Sequence, residues 1–194
     1  MNKISAPILS YSAIKKQAEA FLDKYHKERT IPIPIDEIIE LKLGIKLTAV
    51  SGLKEKFDID GFINSKCDEI TIDSSVFEKY MERTRFTLAH EIGHMILHKE
   101  IYCVGAFNTP GEYSKYQDNI SNEDYDWLER QANIFAGCVL VPDKPLMEEV
   151  DKALKNQLTK EEDFAIPYLE SLPEKFKVSS MVLSRRIKKE GLLK

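Results

Sequence analysis

The sequence predicts an α+β fold: a small antiparallel-type sheet near the N-terminus followed by helices. Three observations carry this. Strand-like runs are confined to the first 75 residues, two strongly periodic helical segments follow at about 82–99 and 123–141, and strands do not alternate with helices as in a doubly wound sheet. A chain of 194 residues, 43% hydrophobic and 31% charged, can bury a substantial core and has neither a disordered nor a fibrous composition.

Each element has a local cause. Ile14, Ala18, Phe21, Leu22 and Tyr25 recur at helical spacing, predicting a helix over 11–27. Ile31-Pro32-Ile33-Pro34 disfavours helix and reads as an extended connector. A short helix over 35–43 follows, stopped by Gly44. Residues 45–50 read as a strand, and Gly61–Asn64 with Ile70–Ile72 as a hairpin around Ser65–Asp68. The helix from about 123 has Ser121 or Asn122 as a starter and stops at Pro142. Between the two long helices, the polar segment 103–120 reads as a loop, either a functional lip or a disordered excursion. Beyond Pro142 the pattern predicts two or three short helices broken near Pro167 and Pro173. The expected division is one unit over 1–142 that holds the sheet and both long helices, and a helical extension over 143–194 ending in a helix-turn-helix-like segment.

Composition excludes some roles. The net charge of −4 argues against the whole molecule coating nucleic acid. No apolar run approaches the roughly 20 residues needed to cross a bilayer, so no membrane partner is expected. Residues 1–10 lack the pattern of a secretory leader. Cys67, Cys103 and Cys138 are odd in number and widely spaced, which predicts a reducing cytoplasm and little role for disulfides.

The chemistry is concentrated in Arg85-Phe86-Thr87-Leu88-Ala89-His90-Glu91-Ile92-Gly93-His94. Histidines four apart on a helix share one face, so His90 and His94 can reach one Zn²⁺ at about 2.0–2.1 Å. Glu91 is rotated about 100° from His90 and can take a proton from a water that the metal acidifies. With 4 histidines in the chain, such a motif arises by chance on the order of 0.01 times. Half of the histidines falling at i, i+4 argues against a helix whose imidazoles only bond locally. His98 lies a further turn along, about 6 Å down the axis, too far for easy access to the same ion. Leu97 and Glu100 stand where a metzincin needs Gly and His, which excludes that class.

A third ligand is expected from Glu129 on the next helix, giving a His₂Glu site, with Glu123, Asp124 and Asp126 as rivals. Asn133, one turn later, could accept the spare N–H of a ligand histidine or simply pack. Manganese or iron would satisfy the same donors, and a two-histidine, one-carboxylate oxygenase shares them too, but Glu91 favours water activation.

These segments, with Glu129-Arg130-Gln131-Ala132-Asn133-Ile134-Phe135-Ala136-Gly137 and Leu140-Val141-Pro142, resemble the ImmA/IrrE family of metallopeptidases. The resemblance extends through Gly61-Phe62-Ile63 and Ile70-Thr71-Ile72 to Arg186–Leu192. It implies His90, His94 and Glu129 as ligands and Glu91 as general base, in a cytoplasmic bacterial or phage protein that disables a helix-turn-helix repressor. A non-proteolytic regulator or a toxin–antitoxin component on the same metal-pinned fold is the alternative. Residues 103–120 and 143–171 match nothing specific, and Tyr113, Tyr116 and Tyr125 are candidates to steady an oxyanion, or members of an ordinary loop.

Residues 171–194 hold seven basic side chains against two glutamates, so the body is more acidic than the total suggests. Two readings compete for the expected helix 179–190. It either docks weakly on DNA or on the repressor, or packs Met181, Leu183 and Ile187 on the body with a solvated basic face. The packing reading is favoured.

Overall fold

The computed structural model describes residues 4–158 and 162–192, with side chains outside 154–167. Helix α1 (Tyr11–Tyr25) begins where the Ser10 hydroxyl accepts from the Ala13 N–H, and it buries Ile14, Ala18, Phe21 and Leu22. A single turn, α2 (Ile35–Glu37), widens into a π-helical turn over Ile38–Lys42, and Gly44 (φ +69°) ends it.

Strands β1 (Lys46–Val50), β2 (Gly61–Ile63) and β3 (Glu69–Asp73) form a sheet of order β1-β3-β2. The β2–β3 hairpin is antiparallel as expected, but β1 runs parallel to β3, so the sheet is mixed rather than purely antiparallel. The tight turn at 64–68 fixes the hairpin. The chain from β1 then uses α3 (Leu53–Phe57) and β2 as the crossover that a parallel pair requires. Asp73 joins these pieces, its carboxylate accepting from the N–H groups of Ser75 and Lys54. The Ser75 hydroxyl, which also donates to this carboxylate, and then the Lys54 N–H hold its pKa down to about 2 against the opposing effect of burial.

Helices α4 (Ser74–Lys79), α5 (Met81–Leu97) and α6 (Lys99–Tyr102) follow the sheet. Within the expected loop 103–120 lies a further helix, α7 (Pro110–Gln117). It is closed by a capping box in which Thr109 and Glu112 bond each other's backbone, with Pro110 in the first turn. Helix α8 (Asn122–Leu140) starts at Ser121, whose hydroxyl accepts from the Asp124 N–H.

Helices α5 and α8 pack closely, with β2 against α5 and α1 against α8. Gly93 sets the approach, since a Cβ there would lie 3.1 Å from Ala132 Cα and 3.2 Å from its carbonyl oxygen. Helices α9 (Asp143–Leu158) and α10 (Glu162–Phe176) form an adjoining pair. Helix α10 runs unbroken through both expected breaks, positions 167 and 173. Leu172 and Phe176 are fully buried, and this packing offsets the missing proline N–H at 173.

Helix α11 (Ser180–Glu190) is capped by Ser179. It buries Leu183 and Arg186 while Met181 stays exposed, so Arg186 rather than Met181 anchors the helix. Arg186 donates to Val141 O, Asp143, Glu190 and the Tyr11 hydroxyl, which ties α11 to α1 and to the start of α9. Lys194 lies outside the described residues.

The cysteines differ from expectation. Cys67, in the hairpin turn, forms a disulfide with Cys103, just past α6. The two half-cystines are 36 residues apart in sequence, and only the turn of the chain after α5 brings them together. Cys138 is free and buried, as a core residue should be. Among the described residues no helix is long and apolar enough to cross a membrane.

Candidate metal centre

Helix α5 places His90 and His94 on the face turned toward α8, and α8 turns Glu129 back toward them. The two Nε2 atoms are 2.9 Å apart, and Glu129 lies 3.3 Å from His90 and 3.1 Å from His94 through its two oxygens. Ligands at about 2.0–2.1 Å around a tetrahedral ion stand roughly 3.3 Å from one another, so the three donors fit one cation with little adjustment. Of the four carboxylates weighed from sequence, Glu129 is the one grouped with both histidines. The group could hold a metal ion.

Electrostatics suit that role. Burial pushes the His94 pKa down to about 4, so its ring is neutral and free to ligate near pH 7. Burial also pulls His90 down, but Glu129, Glu91 and Asn133 together outweigh it and leave it raised. Glu129 is held far below the usual carboxylate range by the two imidazoles, although burial opposes this.

Each histidine is oriented by its other nitrogen. Asn133 Oδ1 stands 3.1 Å from His90 Nδ1, where an amide oxygen can only accept, so the imidazole keeps Nε2 for a metal. His94 Nδ1 lies 3.1 Å from His98 Nδ1, and His98 Nε2 lies 3.3 Å from Gln131 Oε1. The amide oxygen accepts a hydrogen bond from the His98 Nε2–H. This leaves His98 Nδ1 to accept from His94, whose Nε2 again faces the cation site. Gln131 is fixed in turn by donating 2.6 Å to Pro7 O. His98 thus sits behind His94, and burial lowers its pKa to about 3, so it stays neutral. The ring of Tyr102 stacks on His94 at 4.2 Å. Sequence reasoning set His98 aside as too distant to bind a metal. It did not consider Gln131, whose signal was a polar residue three after Leu128 and four before Phe135 on the buried stripe of α8.

Glu91 is buried on the same helix, one oxygen accepting from the Ile63 N–H of β2 at 2.9 Å. Burial pushes its pKa up to about 7, with Glu129 adding to the rise and His90 and the Ile63 N–H opposing it. Such a carboxyl can both take and return a proton near neutrality. A cleft of about 260 Å³ opens over these groups, with Glu91, His90 and Glu129 in its wall and Tyr113 and Tyr125 across from them. Tyr116 is turned away and donates to Ile101 O.

Residues 76–188 match the model of a peptidase family described as the IrrE N-terminal-like domain. No curated protein matches the chain. The match starts in α4, ends in α11 and contains both helices of the metal centre. Spanning more than half of the sequence, it shows that the chain belongs to the IrrE N-terminal-like peptidase family.

Proposed function

We propose that the protein is a zinc-dependent metalloendopeptidase whose substrate is a helix-turn-helix repressor. The observation that carries this reading is the buried Glu91 carboxyl beside the His90–His94–Glu129 group, with Glu91, His90 and Glu129 opening on one cleft and His94 buried behind them. A Zn²⁺ ion held by those three side chains would supply Lewis acidity to a peptide carbonyl and to water. Glu91 takes the proton of the attacking water as oxygen adds to the carbonyl carbon. It then hands that proton to the departing nitrogen as the C–N bond breaks. The Ile63 N–H fixes one Glu91 oxygen and leaves the other to carry the proton. Tyr113 and Tyr125 are within the cleft to donate to the developing oxyanion. Asn133 and the His98–Gln131 pair keep both imidazoles in the tautomer that ligation needs.

The test incubates the zinc-loaded protein with the repressor encoded beside its gene and reads the products by mass spectrometry. One defined cut is expected. Glu91→Gln should lower the rate by at least about 100-fold while retaining zinc, because it removes the base and no ligand, whereas His94→Ala should lose both. A repressor that binds and remains intact would instead support a non-proteolytic regulator.

A further inference from the structure

A second cavity of about 810 Å³ lies between α8 and α11 and shares Phe86, Glu129 and Asn133 with the cleft over the metal centre. The two form one continuous groove. Ile134 and Val182 contribute apolar surface to the second part, and Arg130, Arg185, Lys188 and Lys189 also line it. All four cations are exposed, and none forms an ion pair among the described residues. Arg130 lies over the Trp127 ring and Lys189 over Tyr11, so both are steadied by aromatic faces without being neutralised. The contrast with Arg186 is informative: it is buried, satisfied by carboxylates, and serves the fold.

Resting on the peptidase reading, we propose that this groove receives an acidic, amphipathic segment of the substrate polypeptide adjoining the bond to be cut. Its apolar side chains would meet Ile134 and Val182, and its carboxylates would meet Arg130, Arg185, Lys188 and Lys189. Continuity with the cleft means that a chain seated here delivers its neighbouring residues to Glu91. Charge complementarity selects the occupant, and the concave shape separates it from nucleic acid. DNA-reading helices project into a groove, whereas these cations line one.

The experiment uses the full zinc-loaded chain carrying Glu91→Gln, so that binding is read without hydrolysis. Fluorescence anisotropy compares a labelled peptide of leucines interspersed with Asp and Glu, its Asn/Gln counterpart, and a short DNA duplex. The acidic peptide should bind at least about tenfold tighter than the amide peptide, and the difference should collapse at high salt. The double substitution Arg185→Glu/Lys188→Glu should weaken the acidic peptide by about tenfold or more while zinc content and Tm stay at the parent values. Equal affinity for the two peptides, indifference to the double substitution, or tighter binding of the duplex would overturn the proposal. Failure of hydrolysis alone, with charge-selective binding intact, would count against the peptidase reading and not against the groove.

Discussion

Replacing Gly93 by alanine probes how the helix crossing governs the metal centre. The new Cβ would sit 3.1 and 3.2 Å from Ala132 Cα and O and 3.3 Å from Phe135 Cδ1, where ordinary contact begins at 3.4 Å. Two of these neighbours are backbone, so relief requires α8 to move by about 0.3 Å rather than a side chain to rotate. Overpacking of this kind costs about 1–3 kcal/mol. The better helix propensity of alanine offsets about 1 kcal/mol of it. The net loss is up to about 2 kcal/mol, or a fall in Tm of up to about 8 °C for a chain of this size. Glu129 rides on α8 and the histidines on α5, so the same shift exceeds the roughly 0.2 Å tolerance of a metal site. Zinc affinity should fall by about tenfold. Thermal unfolding with and without zinc, together with a chelator competition, measures both quantities. Gly111→Ala in α7 is the control, because nothing lies within 4 Å of that position and the change should be neutral or stabilising. A Gly93→Ala protein with raised Tm and unaltered zinc affinity would refute the argument.

Gln131→Leu removes the acceptor that fixes His98 and strands Pro7 O, so zinc affinity should drop by about 10–100-fold in chelator competition, although residue 131 touches no ligand directly. Cys103→Ser opens the cross-link to Cys67, and for a loop of this length the chain-entropy estimate is a loss of about 4 kcal/mol, read by urea unfolding. Acid should weaken the fold through Glu149 and Glu190. Burial opposes ionisation of both, but Lys152, Lys175 and Tyr168 hold Glu149 at about 2, and Lys15, Tyr11 and Arg186 hold Glu190 at about 2. A depressed folded-state pKa stabilises above the unfolded value near 4.5, and that contribution vanishes as pH falls toward 2. Tm measured from pH 6 to pH 2.5 should therefore decline below about 4.5, and less steeply in Glu149→Gln.

Legibility followed the range of the interactions. The spacing of His90, Glu91 and His94 on one helix is local, and so is the spacing of Glu129 and Asn133 on the next. Periodicity alone therefore indicated which side chains could meet. The capping box at Thr109 and Glu112 was equally local, and the polar composition of 103–120 masked it. The parallel partner of β1, the Cys67–Cys103 bond and the path from His94 through His98 to Gln131 depend on how distant segments are laid side by side, and no short window carries that information. Continuity of α10 through Pro173 likewise reflects tertiary burial of Leu172 and Phe176 overriding a local breaker.

The Arg186 junction gives the molecule an order of assembly. Its bonds reach across 175 residues to Tyr11, and Glu190 reaches across 179 to the same hydroxyl. At 5–20 residues per second, a ribosome needs roughly 10–35 s between making Tyr11 and making Glu190. Every donor of the metal centre is already synthesised by Glu129, several seconds before Arg186 exists. A nascent chain can thus pair α5 with α8 and bring His90, His94 and Glu129 together while the α11 side of the neighbouring cavity is still unmade. Arg185, Lys188 and Lys189 are made after the His90–His94–Glu129 group, so the residues that could hold a metal can meet before the α11 cations are in place beside them.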